Sequence, residues 1–337
     1  MTDKRTVLVT GGGGFLGGAI VRLLLSRGEK VRSLSRGLYP ELARMGVEHI
    51  SADLADLGAL RQAFQGVEAV FHVAAKFGTW GHYDDYYQAN TQATLNVLSA
   101  CRACGVARLI YTSSPSVVFD GRDMRGVDES TPYPERFEGP YAQTKALAEQ
   151  AVLQAARAGL PAIALRPHLI WGPGGLHLIE RILSRARRLR IVGDGRNQVD
   201  TIYVDNAAWA HILAEDCLKR DPSLSGRTYF LSQDKPIPFA QMLNEILAAG
   251  GLPPVTRKVS PALARIAATL CEGTYKILGI EAEPPITRFQ VNAMATDHWF
   301  DISAAKKDLG YAPLVSAEEG LACLSQWLGD YYSGSRS

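Results

Sequence analysis

Thr6-Val7-Leu8-Val9-Thr10-Gly11-Gly12-Gly13-Gly14-Phe15-Leu16-Gly17 reads as a strand, a tight turn and the start of a helix within a chain of 337 residues. Thr6–Thr10 is a continuous β-branched and aliphatic run, as a strand buried on both faces of a parallel sheet should be. Helical spacing of apolar residues then runs from about Gly14 to Arg27, and Gly28 stands at its C-terminal end. Between strand and helix, Gly11, Gly14 and Gly17 have G-x-x-G-x-x-G spacing. Such a turn is tight, lets a pyrophosphate approach the backbone, and lets helix and strand pack closely. The helix N-terminus adds free N–H groups and partial positive charge. A dinucleotide site at the head of a βαβ unit is therefore expected, with Phe15 and Leu16 beside the glycines.

The alternation continues outward from this unit. Further strands are expected at Lys30–Ser35, Glu48–Ser51, Ala69–Val73, Leu109–Ser113 and Pro161–Arg166. A long helix is expected from Tyr83 to Cys104, and another carries Tyr141 and Lys145 to about Ala158. The pattern predicts an α/β chain with a Rossmann-type doubly wound parallel sheet. Beyond Pro167 it breaks down into Pro- and Gly-punctuated helices and short strands. Residues 1–167 are thus expected to form the dinucleotide-binding domain with the catalytic groups. Residues 168–337 are expected to be mostly a smaller substrate-binding region, with some segments returning to the core.

Composition narrows the class. Apolar residues make up 47%, charged residues 21%, and the net charge is +2; nothing here calls for a nucleic-acid partner. No run approaches the ~18 apolar residues of a membrane span. Met1-Thr2-Asp3-Lys4-Arg5 leads into a strand, so no signal or transit segment is expected. Five cysteines, an odd count in a long chain, suit a reducing compartment, and a cytoplasmic location is expected. Cys101-Arg102-Ala103-Cys104 falls late in a helix without a thioredoxin-like context, so neither redox nor metal chemistry is expected.

The end of the second strand bears on the dinucleotide. An NAD-preferring site usually has an acid there for the ribose 2′-hydroxyl. Here Ser35 and Arg36 stand instead, and a hydroxyl with a guanidinium can bind a 2′-phosphate that a carboxylate would repel. NADP(H) is expected over NAD(H). Asp53, with Leu54 beside it, is placed to reach the adenine edge.

Tyr141-Ala142-Gln143-Thr144-Lys145 carries the chemistry. A tyrosine with its ordinary pKa of ~10 is a poor base near neutrality. Lys145 lies one helical turn on, on the same face. Its ammonium can stabilise the phenolate and reach a cofactor ribose, easing proton transfer between Tyr141 and a substrate oxygen. Ser114, at the end of Tyr111-Thr112-Ser113-Ser114, can hold that oxygen, with Ser113 and Ser116 as neighbouring hydroxyls. A nicotinamide would carry the hydride.

Along nearly its whole length the chain resembles the extended short-chain dehydrogenases/reductases, in the branch of 3β-hydroxysteroid and sterol-4-carboxylate dehydrogenases. The matching segments include Thr10–Gly17, His72-Val73-Ala74-Ala75, Asn90 with Asn96, Tyr111–Phe119, Tyr141–Lys145 and Leu165-Arg166-Pro167. Gly193-Asp194-Gly195-Arg196-Asn197, Tyr203-Val204-Asp205-Asn206 and His298-Trp299-Phe300 match too. The resemblance implies that Ser114 is the catalytic hydroxyl and that Asn90 supports the active-site helix and its water. It implies that Ala74 and Ala75 line the adenosine ribose, that Lys76 is a further cofactor-binding residue, and that Pro167 and His168 pass beneath the nicotinamide. A homodimer, and association with other enzymes of a pathway, are implied likewise. Ser35-Arg36 departs from the acid usual in this branch. Segments Ala75–Gly81, Thr112–Val117, Arg166–Gly174 and Glu283–Phe289 are similar to a bacterial subfamily of 2-alkyl-3-oxoalkanoate reductases in olefin biosynthesis.

Both subfamilies act on α-branched acids with oxygen at the β carbon. Such a substrate needs a cation near its carboxylate, for which Lys76 and Arg288 are candidates beside their plain reading as solvated residues. Trp80, Tyr83, Tyr86 and Tyr87 could line an apolar pocket, although helical spacing of the tyrosines suits plain packing. Pro261–Ile280 could be an amphipathic lid, ordinary core, or a peripheral membrane contact. Arg181 and Arg185–Arg190 form a basic helix end, usually a solvated face. The expected activity is NAD(P)H-dependent reduction of a long-chain 2-alkyl-3-oxoalkanoic acid. Sterol or 3β-hydroxysteroid oxidation is the nearest alternative, and nucleotide-sugar epimerisation or dehydration a more distant one.

Overall fold

The computed structural model describes residues 5–334. Seven strands form one parallel sheet: β1 (Thr6–Thr10), β2 (Lys30–Ser35), β3 (Glu48–Ser51), β4 (Val67–His72), β5 (Arg108–Thr112), β6 (Ala162–Pro167) and β7 (Thr228–Leu231). Their order is β7-β6-β5-β4-β1-β2-β3. The chain leaves β1 for β2 and β3 on one side, then crosses back to β4. The crevice at the carboxyl ends of β1 and β4 is therefore the topological switch point, where doubly wound sheets bind ligands.

The helices are α1 (Phe15–Ser26), α2 (Pro40–Arg44), α3 (Leu57–Phe64), α4 (Tyr83–Tyr86), α5 (Ala93–Cys104), α6 (Pro140–Arg157) and α7 (Leu176–Arg185). They continue with α8 (Val204–Arg220), α9 (Phe239–Ala249), α10 (Pro261–Ile277) and α11 (Arg288–Ala295). Alternate strand residues feed opposite faces of the sheet. Val7, Val9, Ile110 and Ile163 pack towards Ile20 of α1 and Ala207 of α8. Leu8, Val70 and Leu109 pack towards Leu60 of α3, Val97 of α5 and Val152 of α6. Each fully buried aliphatic side chain of this kind contributes ~1.5–3 kcal/mol, so both faces of the sheet are secured before the loops at its ends are considered.

Two local expectations are corrected. The fourth strand runs Val67–His72 rather than Ala69–Val73, because the backbone N–H of Val73 has turned to donate to Thr10 Oγ1. The helix expected over Tyr83–Cys104 is broken by a π-helical segment, Tyr87–Gln92. Such wide turns are uncommon and tend to occur at functional sites.

Past Pro167, α8 packs beside α1 and β7 pairs with β6, so this part of the chain completes the sheet. The remaining segments make small sheets. Met124–Val127, Gln198–Val199, Ile237–Pro238 and His298–Phe300 join in one, while Ile191–Val192 pairs with Lys258–Val259 just before α10.

Candidate active site

A cleft of about 2150 Å³ runs across the carboxyl ends of the strands. At one end lie Gly11, Gly14 and Gly17. Gly11 has φ +71°, and its N–H donates to the Leu34 carbonyl at 2.8 Å. A Cβ on Gly17 would stand 2.1 Å from the Gly11 carbonyl oxygen, so only glycine lets α1 start this close to β1. Ser35, Arg36, Asp53, Leu54, Ala74 and Ala75 line the same end.

A buried chain of hydrogen bonds holds Ala74 in place. Thr10 Oγ1 accepts from the N–H groups of Val73 and Ala74 at 3.1 and 3.2 Å. Thr10 Oγ1 also lies 2.7 Å from His72 Nδ1, and His72 Nε2 lies 3.0 Å from Thr94 Oγ1. Thr94 spends its own proton on the Asn90 carbonyl at 2.6 Å, so His72 Nε2 must donate and its Nδ1 must accept from Thr10. A neutral imidazole satisfies this chain, and burial, aided by the charge of Lys145, holds the His72 pKa down to about 3. The sequence offered His72 only as part of a matching segment, with no signal for this role.

Asn90 sits in the π-helical segment. Its Oδ1 accepts from Lys76 N at 2.7 Å, and its Nδ2 donates to the Lys76 carbonyl at 3.0 Å and to Thr144 Oγ1 at 3.2 Å. One side chain therefore ties the loop after β4 to α6, on which Tyr141 and Lys145 share a face.

Ser114 and Tyr141 line the middle of the cleft with Lys145. Ser116 Oγ donates to Ser114 Oγ at 3.0 Å. Burial raises the Tyr141 pKa, and a hydrogen bond from Ser114 opposes that rise. Lys145 is 2% exposed, donates to the Thr112 carbonyl at 2.6 Å and stands 4.2 Å from the centre of the Tyr111 ring. Burial pushes its pKa down to about 7, with Glu149 opposing. Behind it Glu149 accepts from Arg166 at 2.6 and 2.9 Å and from Tyr133 at 2.7 Å, pinning α6 to β6. The arrangement brings a phenol, a second hydroxyl and an ammonium of adjustable charge into one cleft.

Apolar side chains also line the cleft, among them Phe119, Leu178, Met242, Leu263, Phe289 and Met294, together with Pro167 and His168. The proposed substrate residues are distributed differently from the sequence-based expectation. Lys76 lines the cleft, but its Nζ pairs with Asp85 at 2.9 Å. Arg288 lies outside the cleft lining, bound to Glu272 of α10 at 2.8 Å and 55% exposed. Trp80 also lies outside it; its ring meets Tyr275 edge-on at 6.3 Å and its Nε1 reaches the Ile280 carbonyl. Tyr83 and Tyr87 stack on each other, and Tyr86 is buried with its hydroxyl on the Trp80 carbonyl. Trp80 thus braces α10, Tyr86 braces the loop, and Tyr83 and Tyr87 brace each other. The helix α10 presents Leu263, Ala264 and Ala267 to the cleft and leaves Ile266 and Leu270 exposed. Arg181 and Arg185 also reach the cleft, Arg181 paired with Glu283. Phe119 and Phe289 close two of the matching segments without any signal for a pocket role, and Met242 lies outside them all.

A doubly wound sheet with this tyrosine, lysine and serine lining the cleft at its strand ends is the architecture of an NAD(P)-dependent oxidoreductase. Residues 8–259 match the 3-beta hydroxysteroid dehydrogenase/isomerase family, and the chain belongs to it. It is 50% identical over 320 residues to the 2-alkyl-3-oxoalkanoate reductase of Stenotrophomonas maltophilia (strain K279a), covering 94% of this chain and 97% of that protein. It is 47% identical to the protein of the same name from Shewanella oneidensis, over 93% of this chain and 84% of the other. Among solved structures, gox2253 superposes with a TM-score of 0.79 at 29% identity, covering 97% of this chain and 99% of that one. No described helix is long and apolar enough to cross a membrane.

Proposed function

We propose that this protein reduces the 3-oxo group of a long-chain 2-alkyl-3-oxoalkanoic acid to the 3-hydroxy acid, with NADP(H) as its dinucleotide. The observation that supports this reading is that Ser114, Tyr141 and Lys145 share one cleft with the glycine turn and with apolar side chains such as Phe119, Met242 and Phe289. The names of the two bacterial relatives agree with it.

The residues present fit the dinucleotide. The N-terminus of α1 and the glycine turn would take the pyrophosphate, and Asp53 and Leu54 the adenine edge. Ala74, Ala75, Lys76 and Lys145 would take the riboses, and Pro167 and His168 the nicotinamide. Ser35 and Arg36 support NADP(H), since Ser35 Oγ is buried without a hydrogen-bond partner and no acid ends β2. When bound, the dinucleotide supplies the hydride for the carbonyl carbon. Tyr141 gives its proton to the carbonyl oxygen, so that C=O becomes CH–OH. Ser114 holds that oxygen, and Lys145 stabilises the phenolate left behind. Asn90, through its bonds to Lys76 and Thr144, keeps the loop and α6 in register. In this reading residues 1–167 supply the dinucleotide half and residues 168–337 mostly the substrate half. The five free cysteines support a cytoplasmic setting.

The test follows NADPH consumption against a panel of 2-alkyl-3-oxo acids and 3-ketosteroids, with the stable hydroxy acids run in reverse. Turnover of the branched oxo acids with preference for NADPH is expected. NAD-linked oxidation of sterols without activity on the oxo acids would overturn the reading, as would turnover of a nucleotide-sugar.

A further inference from the structure

Gly13 has no place in the G-x-x-G-x-x-G spacing, yet no side chain fits there. A Cβ on Gly13 would lie 2.4 Å from the ring of Tyr39, and one on Gly37 would lie 3.1 Å from the same ring. The Tyr39 ring therefore rests flat against the nucleotide-binding turn. Its loop is held from β3 by two hydrogen bonds: Ser51 Oγ donates to the Arg36 carbonyl at 3.0 Å, and His49 Nε2 donates to the Gly37 carbonyl at 2.9 Å. The His49 ring also meets Tyr39 edge-on at 5.7 Å. Ser35, Arg36, Gly37 and Tyr39 all line the dinucleotide end of the cleft. Ser35 Oγ is buried without a hydrogen-bond partner, while Arg36 is exposed and pairs with no described carboxylate.

Two donors lacking acceptors beside an aromatic wall suit a compact dianion. We infer that Tyr39 forms the outer wall of a pocket for the 2′-phosphate of NADP(H), with His49 and Ser51 as positioning residues that set the Ser35–Tyr39 loop. The inference rests on the NADP(H) reading above and adds the residues that shape its site. A flat ring beside this loop would exclude water from one side of a phosphate held there and so strengthen its attraction to the Arg36 guanidinium. A neutral 2′-hydroxyl gains little from the same wall, so Tyr39 acts on the choice between NADP(H) and NAD(H).

The test is calorimetric titration of the whole protein with NADP⁺, NAD⁺ and 2′,5′-ADP, for the parent, Tyr39→Ala, Tyr39→Phe and His49→Ala. Tyr39→Ala is expected to weaken NADP⁺ and 2′,5′-ADP ~10-fold and to leave NAD⁺ within ~2-fold. Tyr39→Phe keeps the ring and should stay within ~2-fold of the parent for all three, while His49→Ala shifts NADP⁺ in the same direction by ~3-fold. Should Tyr39→Ala not fold, Tyr39→Leu, which covers Gly13 without a flat ring, is read in the same way. Equal losses for NADP⁺ and NAD⁺ would show that Tyr39 only packs on the turn and would overturn the inference alone. A loss in Tyr39→Phe as large as in Tyr39→Ala would replace the wall with a hydroxyl contact. A parent protein without preference for NADP⁺ would overturn the cofactor reading and this inference together.

Discussion

The two ends of the central sheet treat buried charge in opposite ways. At the amino ends, Arg5 and Arg108 converge on Glu215, which is 1% exposed, at 2.8 and 2.7 Å, and Glu29 and Glu68 close the cluster. Burial works to raise the Glu215 pKa, and the hydrogen bonds and charges of both arginines more than offset it, leaving a net downward shift. At the carboxyl ends, Lys145 has a carbonyl and an aromatic face for company, and its pKa falls to about 7. Ser113 and Ser35, beside strand ends and on the cleft lining, each keep a buried hydroxyl without a partner. One end satisfies its charges and holds the strands together. The other, apart from the buried Glu149–Arg166 pair behind Lys145, leaves groups unsatisfied, as a site that awaits a ligand must.

The largest break in this contrast should come from Tyr141→Phe. Removing the proton carrier is expected to lower turnover ~10³-fold while NADP⁺ affinity by calorimetry stays at the parent value. Equal activity of variant and parent across the substrate panel would remove Tyr141 from the mechanism.

Glu215→Ala tests the other end. Two arginines lose a buried partner, and a destabilisation of roughly 3 kcal/mol is expected in urea unfolding, with dinucleotide affinity unchanged in the folded protein. The sign with pH follows from the depressed Glu215 pKa: its contribution is present above the ordinary carboxylate range and fades as pH falls through the folded value. A Glu215→Ala protein as stable as the parent at pH 7 would show that the cluster does not secure the strands.

Lys145→Met sharpens the contrast with the smallest expected effect. A lysine whose folded pKa is depressed destabilises the fold where it must be charged, below pH 7, and that cost recedes as pH rises towards the ordinary lysine value. The variant should therefore unfold at higher urea than the parent at pH 6, by ~2 kcal/mol, and the gain should shrink by pH 9. Turnover falls at the same time. A constant difference between pH 6 and pH 9 would mean that Lys145 carries no such penalty.

Much of this was legible from local pattern. The bounds of β1, β2 and β3 agree with the expectation from β-branched runs, α1 begins and ends within a residue of it, and α6 ends within a residue of it. Ser114, Tyr141 and Lys145 meet in one cleft, as their motif spacing suggests. The substrate residues were not legible in the same way. Arg288 has the right charge, yet Glu272, sixteen residues upstream, captures it. Trp80 has the right surface, yet Tyr275 and Ile280, far along the chain, claim it. Their partners lie on α10 and the loop after it, and no short-range periodicity relates those residues.

The sequence by itself determined the βαβ frame, the glycine turn and the shared face of Tyr141 and Lys145. Each follows from backbone geometry and side-chain repeats within a few residues, which are properties of the chain before it folds. Only the tertiary structure decided the tautomer of His72, the clamp made by Asn90, the capture of Arg288, and the seat of Tyr39 on Gly13. Each depends on groups from separate strands or helices reaching hydrogen-bond or contact distance, and those distances exist only once the sheet has closed.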